Sequence, residues 1–260
     1  MNLNLHNKII LITGGAKGIG EGIARVLAGE GARVALVDRD EAALQKTVDR
    51  LTEVGGRAIG VVADLTSPAD CQRAVDEVLA STDGVLDGLV NNAGVNDGVS
   101  LSSGNYEAFM TSLHRNVVHY YLVAHYALPA LKASRGAIVN ITSKVAETGQ
   151  GGTSAYAAAN GGRNALTREW AVELLPDGIR VNAVVVAECW TPLYETWLNT
   201  LPDPAATLQK ITDKIPLGKR MTTPTEIGTM VAFLLSDLSS HTTGQLIHVD
   251  GGYTHLDRAI

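Results

Sequence analysis

The stretch that decides the fold is KIILITGGAKGIGEGIA, residues 8–24. Its first six residues form an apolar, β-branched run that predicts a buried strand, and a glycine-rich turn follows directly. Beyond the turn, the pattern predicts the opening of a helix. The stretch therefore predicts a strand, a tight turn and a helix in succession, the first part of a strand–helix–strand unit.

The same alternation continues along the chain. Short apolar runs predict strands at 8–13, 33–38, 58–64, 86–94, 136–142, 179–186 and 245–252, with helical patterns between them. Each connection is about one helix long, so right-handed crossovers would cover both faces of a parallel sheet. The predicted fold is α/β, a doubly wound seven-stranded parallel sheet (Rossmann fold) in a single domain over 1–260. Residues 187–219, which hold four prolines, predict a substrate loop or lid.

Composition narrows the class of partner. The net charge of −6 provides no basic surface for nucleic acid, so we expect a small-molecule substrate. Cys71 and Cys189 lie far apart without metal-ligand spacing, which predicts free buried thiols and no metal site. No apolar run approaches the ~18 residues of a membrane span, and the N-terminus does not resemble a signal peptide. We therefore expect a soluble, cytoplasmic protein with no membrane partner.

The glycine turn predicts a dinucleotide site. Gly14, Gly18 and Gly20 would let the backbone approach a pyrophosphate at a helix N-terminus. Asp38 ends the second predicted strand, where a carboxylate accepts hydrogen bonds from both ribose hydroxyls and repels a 2′-phosphate. This favours NAD as the cofactor over NADP. The nearby cations Lys17 and Arg39 could soften that preference.

Several further motifs follow in order. TGGAKGIG lies at 13–20, NNAG at 91–94 and Asn116 in a helical stretch, and Ser143 precedes Tyr156 by thirteen residues. Together they resemble the short-chain dehydrogenase/reductase family over nearly the whole chain. The resemblance implies an NAD(P)-dependent enzyme, in which Tyr156 is the acid/base, Ser143 orients the reacting oxygen and Asn116 holds a water in a proton relay.

The resemblance also implies the cofactor contacts. Thr191 would contact the nicotinamide carboxamide, and Asp64 would lie beside the adenine. The full set of implied cofactor-binding residues is Gly14, Lys17, Gly18, Ile19, Gly20, Asp38, Asp64, Leu65, Asn91, Ala93, Gly94 and Thr191.

Asn160 departs from the family pattern. Four residues after its tyrosine the family has a lysine, which holds the nicotinamide ribose and favours the ionised phenol. Asparagine can keep hydrogen bonds to the ribose but carries no charge, and an unperturbed phenol titrates near ~10. Three accounts remain open: Asn160 impairs an otherwise ordinary enzyme, another cation such as Arg163 or Lys144 substitutes, or the protein is a non-catalytic NAD-binding sensor.

The substrate-side segments SKVAETGQGGTSAY, AECWTPLY and VDGGYTHLDRA resemble those of bacterial sugar dehydrogenases that oxidise L-fucose. They are polar, as a polyol site requires, and Trp190 and Tyr194 offer rings for a sugar face. The predicted function is NAD-dependent oxidation of an aldose such as L-fucose, at the anomeric carbon, to its lactone. A carbonyl reductase of acyl or steroid-like substrates is the alternative. The candidate substrate residues are Lys144, Glu147, Gln150, Glu188 and Trp190.

A homotetramer is the predicted assembly. The family pairs long helices, which would here span 104–133 and 154–176 and carry apolar stripes. The terminal segment THLDRAI, 254–260, would reach a neighbouring subunit.

Overall fold

The computed structural model describes residues 2–256, and its centre is one seven-stranded parallel sheet. The strands follow the order β3-β2-β1-β4-β5-β6-β7. Their bounds are Ile9–Thr13 (β1), Arg33–Asp38 (β2), Arg57–Val62 (β3), Gly88–Asn91 (β4), Ala137–Ser143 (β5), Arg180–Val186 (β6) and Leu246–Val249 (β7).

Helices cover both faces of the sheet. They are Gly18–Gly29 (α1), Glu41–Glu53 (α2), Pro68–Ser81 (α3), Tyr106–Leu113 (α4), His119–Ser134 (α5), Ser154–Glu173 (α6), Pro192–Leu198 (α7), Pro204–Thr212 (α8) and Pro224–Leu235 (α9). Each face has its own apolar core, one built largely from α1 and α9 and the other from α3, α5 and α6. The predicted doubly wound α/β fold is confirmed.

The strand order places a crevice between β1 and β4. From β1 the chain builds the sheet in one direction through β2 and β3, and then returns to add β4 on the other side of β1. The connections that leave β1 and β4 therefore diverge to opposite faces. In such sheets ligands bind outside the carboxyl ends of the strands at this switch point.

Three predicted segments differ from the structure. Residues 187–219 are not wholly irregular, because α7 and α8 begin there, each with a proline in its first turn after a capping residue, Thr191 or Asp203. The helix predicted over 104–133 is interrupted by a π-helical turn, His114–Val118. β4 is shorter than 86–94 because only Gly88–Asn91 pair with neighbouring strands.

The other expectations concern termini, thiols and assembly. Cys71 and Cys189 are free and buried as predicted, and burial raises the pKa of their thiols to about 11 and about 12. Among the described residues no helix is long and apolar enough to cross a membrane. Part of the terminal segment predicted to reach a neighbour, residues 257–260, lies outside the described residues. The single domain and the homotetramer stay predictions.

Glycine allows α1 and α9 to approach closely. A Cβ added at Gly22 would lie 2.3 Å from Cβ of Pro224 and 3.0 Å from its carbonyl oxygen. A Cβ at Gly228 would lie 2.9 Å from Cγ2 of Val26. By contrast, a Cβ at Gly29, the last residue of α1, would meet nothing within 4 Å.

We predict opposite effects for two Gly→Ala substitutions in α1. Gly22→Ala forces the helices apart and should lower the free energy of unfolding by about 1–3 kcal/mol. Gly29→Ala meets open space and should raise it by about 0.5–1 kcal/mol, because alanine favours a helix more than glycine does. Urea unfolding of both variants checks this, and equal changes would contradict the packing described here.

Candidate active site

The glycine turn after β1 has the backbone that the sequence predicts. Gly14 and Gly18 adopt positive φ angles of 63° and 59°. A Cβ on Gly20 would lie 2.0 Å from the carbonyl oxygen of Gly14, so no larger residue fits there. The side chain of Lys17, the N-cap residue of α1, makes no capping hydrogen bond. The turn therefore presents a tight backbone cradle and an uncapped helix N-terminus, which suits a phosphate group.

Hydrogen bonds tie this turn to the loop after β4. The side-chain amide of Asn92 donates to the carbonyl oxygens of Thr13 (2.9 Å) and Gly14 (3.0 Å). In return, Oγ1 of Thr13 accepts from the backbone amides of Asn92 (2.9 Å) and Ala93 (3.1 Å). The two edges of the β1–β4 crevice are thus held at a fixed separation.

Asn91, the predicted cofactor residue of this loop, faces elsewhere. It is the last residue of β4, is fully buried, and donates to Oδ1 of Asn140 at 3.0 Å. Asn92 lines the crevice instead, since successive side chains of a strand and its extension point to opposite sides. The prediction for Asn91 is corrected to a structural role.

The carboxylates predicted for the adenosine end lie at the ends of their strands. Asp38 accepts from the backbone amides of Ala16 and Asp40, both at 3.1 Å. Asp64 accepts from the amide and hydroxyl of Thr66, and these hydrogen bonds lower the pKa of the Asp64 carboxyl.

These groups open onto one cavity of about 480 Å³. Ten of the twelve predicted cofactor residues line it, the exceptions being Gly20, which lies beneath the turn, and Asn91. The lining residues from the predicted set are Gly14, Lys17, Gly18, Ile19, Asp38, Asp64, Leu65, Ala93, Gly94 and Thr191.

Ser143 and Tyr156 line the same cavity. Ser143 ends β5, and Tyr156 lies in the first turn of α6. Thr191 closes the cavity on the lid side, where it caps α7 by accepting from the amide of Tyr194 at 3.2 Å. The fold therefore brings the predicted reactive pair to the cavity that the cofactor residues form.

Asn116 does not line the cavity but supports its wall. It lies fully buried in the π-helical turn, where its Oδ1 accepts from the amide of Val95 at 2.8 Å and its amide donates to the carbonyl of Ser112. A π-helical turn shifts the backbone hydrogen bonds out of register, and such turns are frequent at functional sites. Here the carbonyl oxygen of Asn116 accepts from Nε of Arg163 at 2.5 Å.

Asn160, predicted to contact the ribose, is also buried beneath the cavity. Its amide donates to the carbonyl oxygen of Tyr156 at 2.8 Å, and its Oδ1 accepts from Nη1 of Arg163 at 3.1 Å. Arg163 lines the cavity and Asn160 does not. In this structure both hydrogen-bonding groups of Asn160 have partners within α6, and its place among the catalytic residues stays a prediction.

The predicted substrate residues lie beside the cavity rather than on its lining. Lys144 forms a buried ion pair with Glu188, and Nζ of Lys144 lies 3.9 Å above the ring of Tyr253. The hydroxyl of Tyr194, which does line the cavity, donates to Oε2 of Glu188 at 2.8 Å. Burial and the neighbouring carboxylate raise the pKa of Tyr194, so its hydroxyl stays protonated.

Glu147, Gln150 and Trp190 also lie outside the cavity lining, and their contact with substrate stays a prediction. Glu147 accepts from His248 Nε2 at 3.0 Å and lies 3.7 Å from Nε2 of His255. One ligand atom from each of these three lies within 4.8 Å of the others, a spacing that a divalent ion could bridge, although the sequence showed no metal-ligand pattern. Gln150 is exposed, and Trp190 is 39 % exposed with its backbone amide bonded to Thr222.

Known proteins resemble this arrangement over the full fold. A family model described as Enoyl-(Acyl carrier protein) reductase matches residues 14–254. L-fucose dehydrogenase of Bos taurus is 35 % identical over 97 % of this chain and 91 % of its own. The 3-oxoacyl-[acyl-carrier-protein] reductase of Thermotoga maritima is 34 % identical over 96 % of this chain and 99 % of its own. The crystal structure of Cj0485 dehydrogenase superposes with a TM-score of 0.94 at 42 % identity, covering 100 % of this chain and 99 % of that one.

The chain belongs to the short-chain dehydrogenase/reductase family. It is therefore an NAD(P)-dependent oxidoreductase. The residues present fit such a cofactor on structural grounds. The glycine cradle and uncapped helix suit the pyrophosphate, Asp38 suits a ribose, and the cavity continues from there to Ser143 and Tyr156.

Sequence reasoning missed His119, which lines the cavity from α5. The ring is 2 % exposed, Nε2 bonds the carbonyl oxygen of Arg115 at 3.0 Å, and Nδ1 has no partner among the described residues. Burial, helped by the charge of Arg163, lowers the pKa of His119 to about 3. No sequence motif marks this position, because the burial comes from tertiary packing rather than from the local sequence.

We predict that His119 makes the fold sensitive to acid. The unfolded chain binds its proton near pH 6.5 and the folded protein only near pH 3, so stability falls as the pH drops between these values. The loss should be about 1 kcal/mol per pH unit. His119→Gln removes this contribution, whereas His241→Gln, at an exposed position, should not. Urea unfolding between pH 7 and pH 4 measures the slopes, and equal slopes in parent and His119→Gln would contradict the prediction.

Proposed function

We propose that the protein uses NAD to oxidise an aldose such as L-fucose, at the anomeric carbon, to its lactone. The observation that carries the proposal is the cluster of Lys144, Glu188 and Tyr194 beside Ser143. The hydroxyl of Tyr194 lines the lid end of the cavity, and the ion pair of Lys144 and Glu188 lies beside it, so this end is polar, which suits a polyol better than an acyl chain. L-fucose dehydrogenases among the relatives support the same class of substrate.

The choice of NAD rests on Asp38. Its carboxylate lines the cavity at the end of β2, where it would bond ribose hydroxyls and repel a 2′-phosphate. Lys17, one of the cations that could attract that phosphate, is paired with Asp40 at 2.5 Å. Arg39 remains exposed. The charges at this end therefore favour a cofactor without the extra phosphate.

The reaction separates a proton from a hydride. When bound, the nicotinamide cofactor would supply the acceptor for the hydride of the anomeric carbon. Ser143 donates a hydrogen bond that orients the anomeric oxygen, and Tyr156 takes the hydroxyl proton as the carbon–oxygen bond gains double-bond character. The guanidinium of Arg163, which donates to the carbonyl oxygen of Asn116, is nearly fully buried and lines the same cavity as Tyr156.

Carbonyl reduction of an acyl substrate is the second candidate. The relative from Thermotoga maritima supports it, and so does the lid helix α7, which exposes Leu193 (63 %) and Trp197 (46 %) as an apolar surface. An acyl chain would lie on that surface rather than against the polar cluster. A non-catalytic sensor is not favoured, since both Ser143 and Tyr156 line the cavity.

We predict that NAD binds at least about tenfold more tightly than NADP. Asp38→Asn should remove most of this difference, because the amide no longer repels a phosphate. Asp49→Asn makes the same change of charge at an exposed position of α2 and should leave both affinities unchanged. Calorimetric titration of the three proteins with both cofactors measures this. Equal affinities in the parent would show that Arg39 outweighs the carboxylate.

We also predict that the parent oxidises aldoses and that Tyr194→Phe raises KM for the aldose by about three- to tenfold. This change removes one partly buried hydroxyl from the cavity wall and keeps the ring. KM for NAD should not change. Tyr106→Phe, at a position 73 % exposed, is the control.

An NADH- and NADPH-linked assay with an acetoacetyl thioester separates the two candidates. Reduction of the thioester without oxidation of any aldose would replace the proposed function by the second one. No turnover in either assay would favour the sensor.

A further inference from the structure

Arg163 is a charged side chain built into the interior of the site. It is 3 % exposed, and its donors are used on several acceptors. Nε donates to the carbonyl oxygen of Asn116 at 2.5 Å, and Nη1 donates to the carbonyl oxygen of Ile141 at 3.2 Å and to Oδ1 of Asn160 at 3.1 Å. Longer contacts of 3.4 Å join Nη2 to Ala93 and to Oδ1 of Asn116.

None of these partners within residues 2–256 is a carboxylate. Carbonyl and amide dipoles stabilise the guanidinium, and so does the ring of Tyr120, whose centroid lies 4.3 Å from Cζ of Arg163. Burying a cation without a counter-ion is costly unless its donors are satisfied. The surroundings of Arg163 satisfy the donors while leaving the positive charge unneutralised.

That charge faces the same cavity as Tyr156. The two residues are seven apart on α6, and arginine side chains on a helix lean toward its N-terminus, which brings the guanidinium back along the helix toward Tyr156. Asn160 connects them, since it donates to the carbonyl of Tyr156 and accepts from Arg163. The hydrogen bond from Arg163 to Asn160 thus holds the guanidinium in place.

The other charged and titratable groups around Tyr156 are neutral or paired. From the helix opposite, Arg115 lies 3.9 Å from the carboxylate of Asp97, and burial keeps His119 uncharged with a pKa of about 3. Burial also raises the pKa of Tyr120. On the strand and lid side, Lys144 is paired with Glu188, which also accepts from Tyr194.

We propose that Arg163 is a positioning residue that supplies the positive charge favouring the ionised form of Tyr156, and that Asn160 holds the guanidinium in place for this purpose. An opposite charge close to an ionisable group favours the ionised form of that group. The expected effect on turnover rests on the proposed function, in which Tyr156 takes the proton. The expected effect on the ionisation of Tyr156 does not depend on that function.

Titration of Tyr156 in the cofactor-free protein tests the proposal directly. Tyrosinate absorbance is followed against pH in each protein and in its Tyr156→Phe counterpart, so that the difference isolates this one phenol. Arg163→Gln and Arg163→Lys lose the same guanidinium hydrogen bonds, but only the lysine keeps the charge. Arg168→Gln removes a charge from an exposed position of the same helix and is the control.

The expected result is that Arg163→Gln moves the titration of Tyr156 to higher pH by about one to three units. Arg163→Lys and Arg168→Gln should stay close to the parent. If Arg163→Gln leaves the titration where it is, or if Gln and Lys move it equally, Arg163 acts only as a structural group and the proposal is overturned.

Asn160→Asp tests the charge of Arg163 without changing Arg163 itself, and it nearly preserves the shape of residue 160. A carboxylate at 3.1 Å from Nη1 would pair with the guanidinium and neutralise it in place. The titration of Tyr156 should again move to higher pH, although the hydrogen bond is strengthened. An unchanged titration in Asn160→Asp overturns the proposal even where Arg163→Gln does not fold.

Activity provides the second measurement. In Arg163→Gln and Asn160→Asp, aldose oxidation at pH 7 should fall by at least about tenfold and recover as the pH rises, whereas Arg163→Lys should keep most of it. If the parent oxidises no aldose, the proposed function fails while the tyrosinate titration still decides the role of Arg163.

Discussion

The hydrogen bonds between Thr13 and the loop at Asn92 hold the site together. The connections that follow β1 and β4 leave to opposite faces of the sheet. Without hydrogen bonds between them, the positions of the two loops would be independent of each other. Here each loop satisfies polar groups of the other, through both the side chain and the backbone of Asn92. The glycine turn, the cavity and the wall at Gly94 all take their positions from this junction.

Much of the fold and part of the site follow from local sequence rules. The seven strands and the glycine turn are encoded by short apolar runs and by positions that exclude a Cβ, and both signals act within a few residues. Asp38 could be placed because it ends a predicted strand of a parallel sheet, whereas Ser143 and Tyr156 were placed by their resemblance to the short-chain dehydrogenase/reductase pattern. Such properties do not depend on the details of packing.

What the sequence did not show depends on how side chains pack across elements. Asn91 and Asn92 are neighbours in the same motif, and only the end of β4 decides which one faces the cavity. The sequence offered Arg163 as a cation that could replace the family's lysine, but the position of its guanidinium depends on the π-helical turn and on Asn160. The sequence likewise did not show the partners of Lys144 and Glu147, which are Glu188 and His248 on distant segments of the chain.

The absence of a side chain at Gly94 has an evolutionary consequence. A Cβ there would lie 2.6 Å from Nη2 of Arg163 and 2.9 Å from Oδ1 of Asn116. Position 94 is thus held to glycine from two sides, because a larger residue there would need both Arg163 and Asn116 to move. Residues that lie 22 and 69 positions away in the chain therefore limit which residue can occupy position 94.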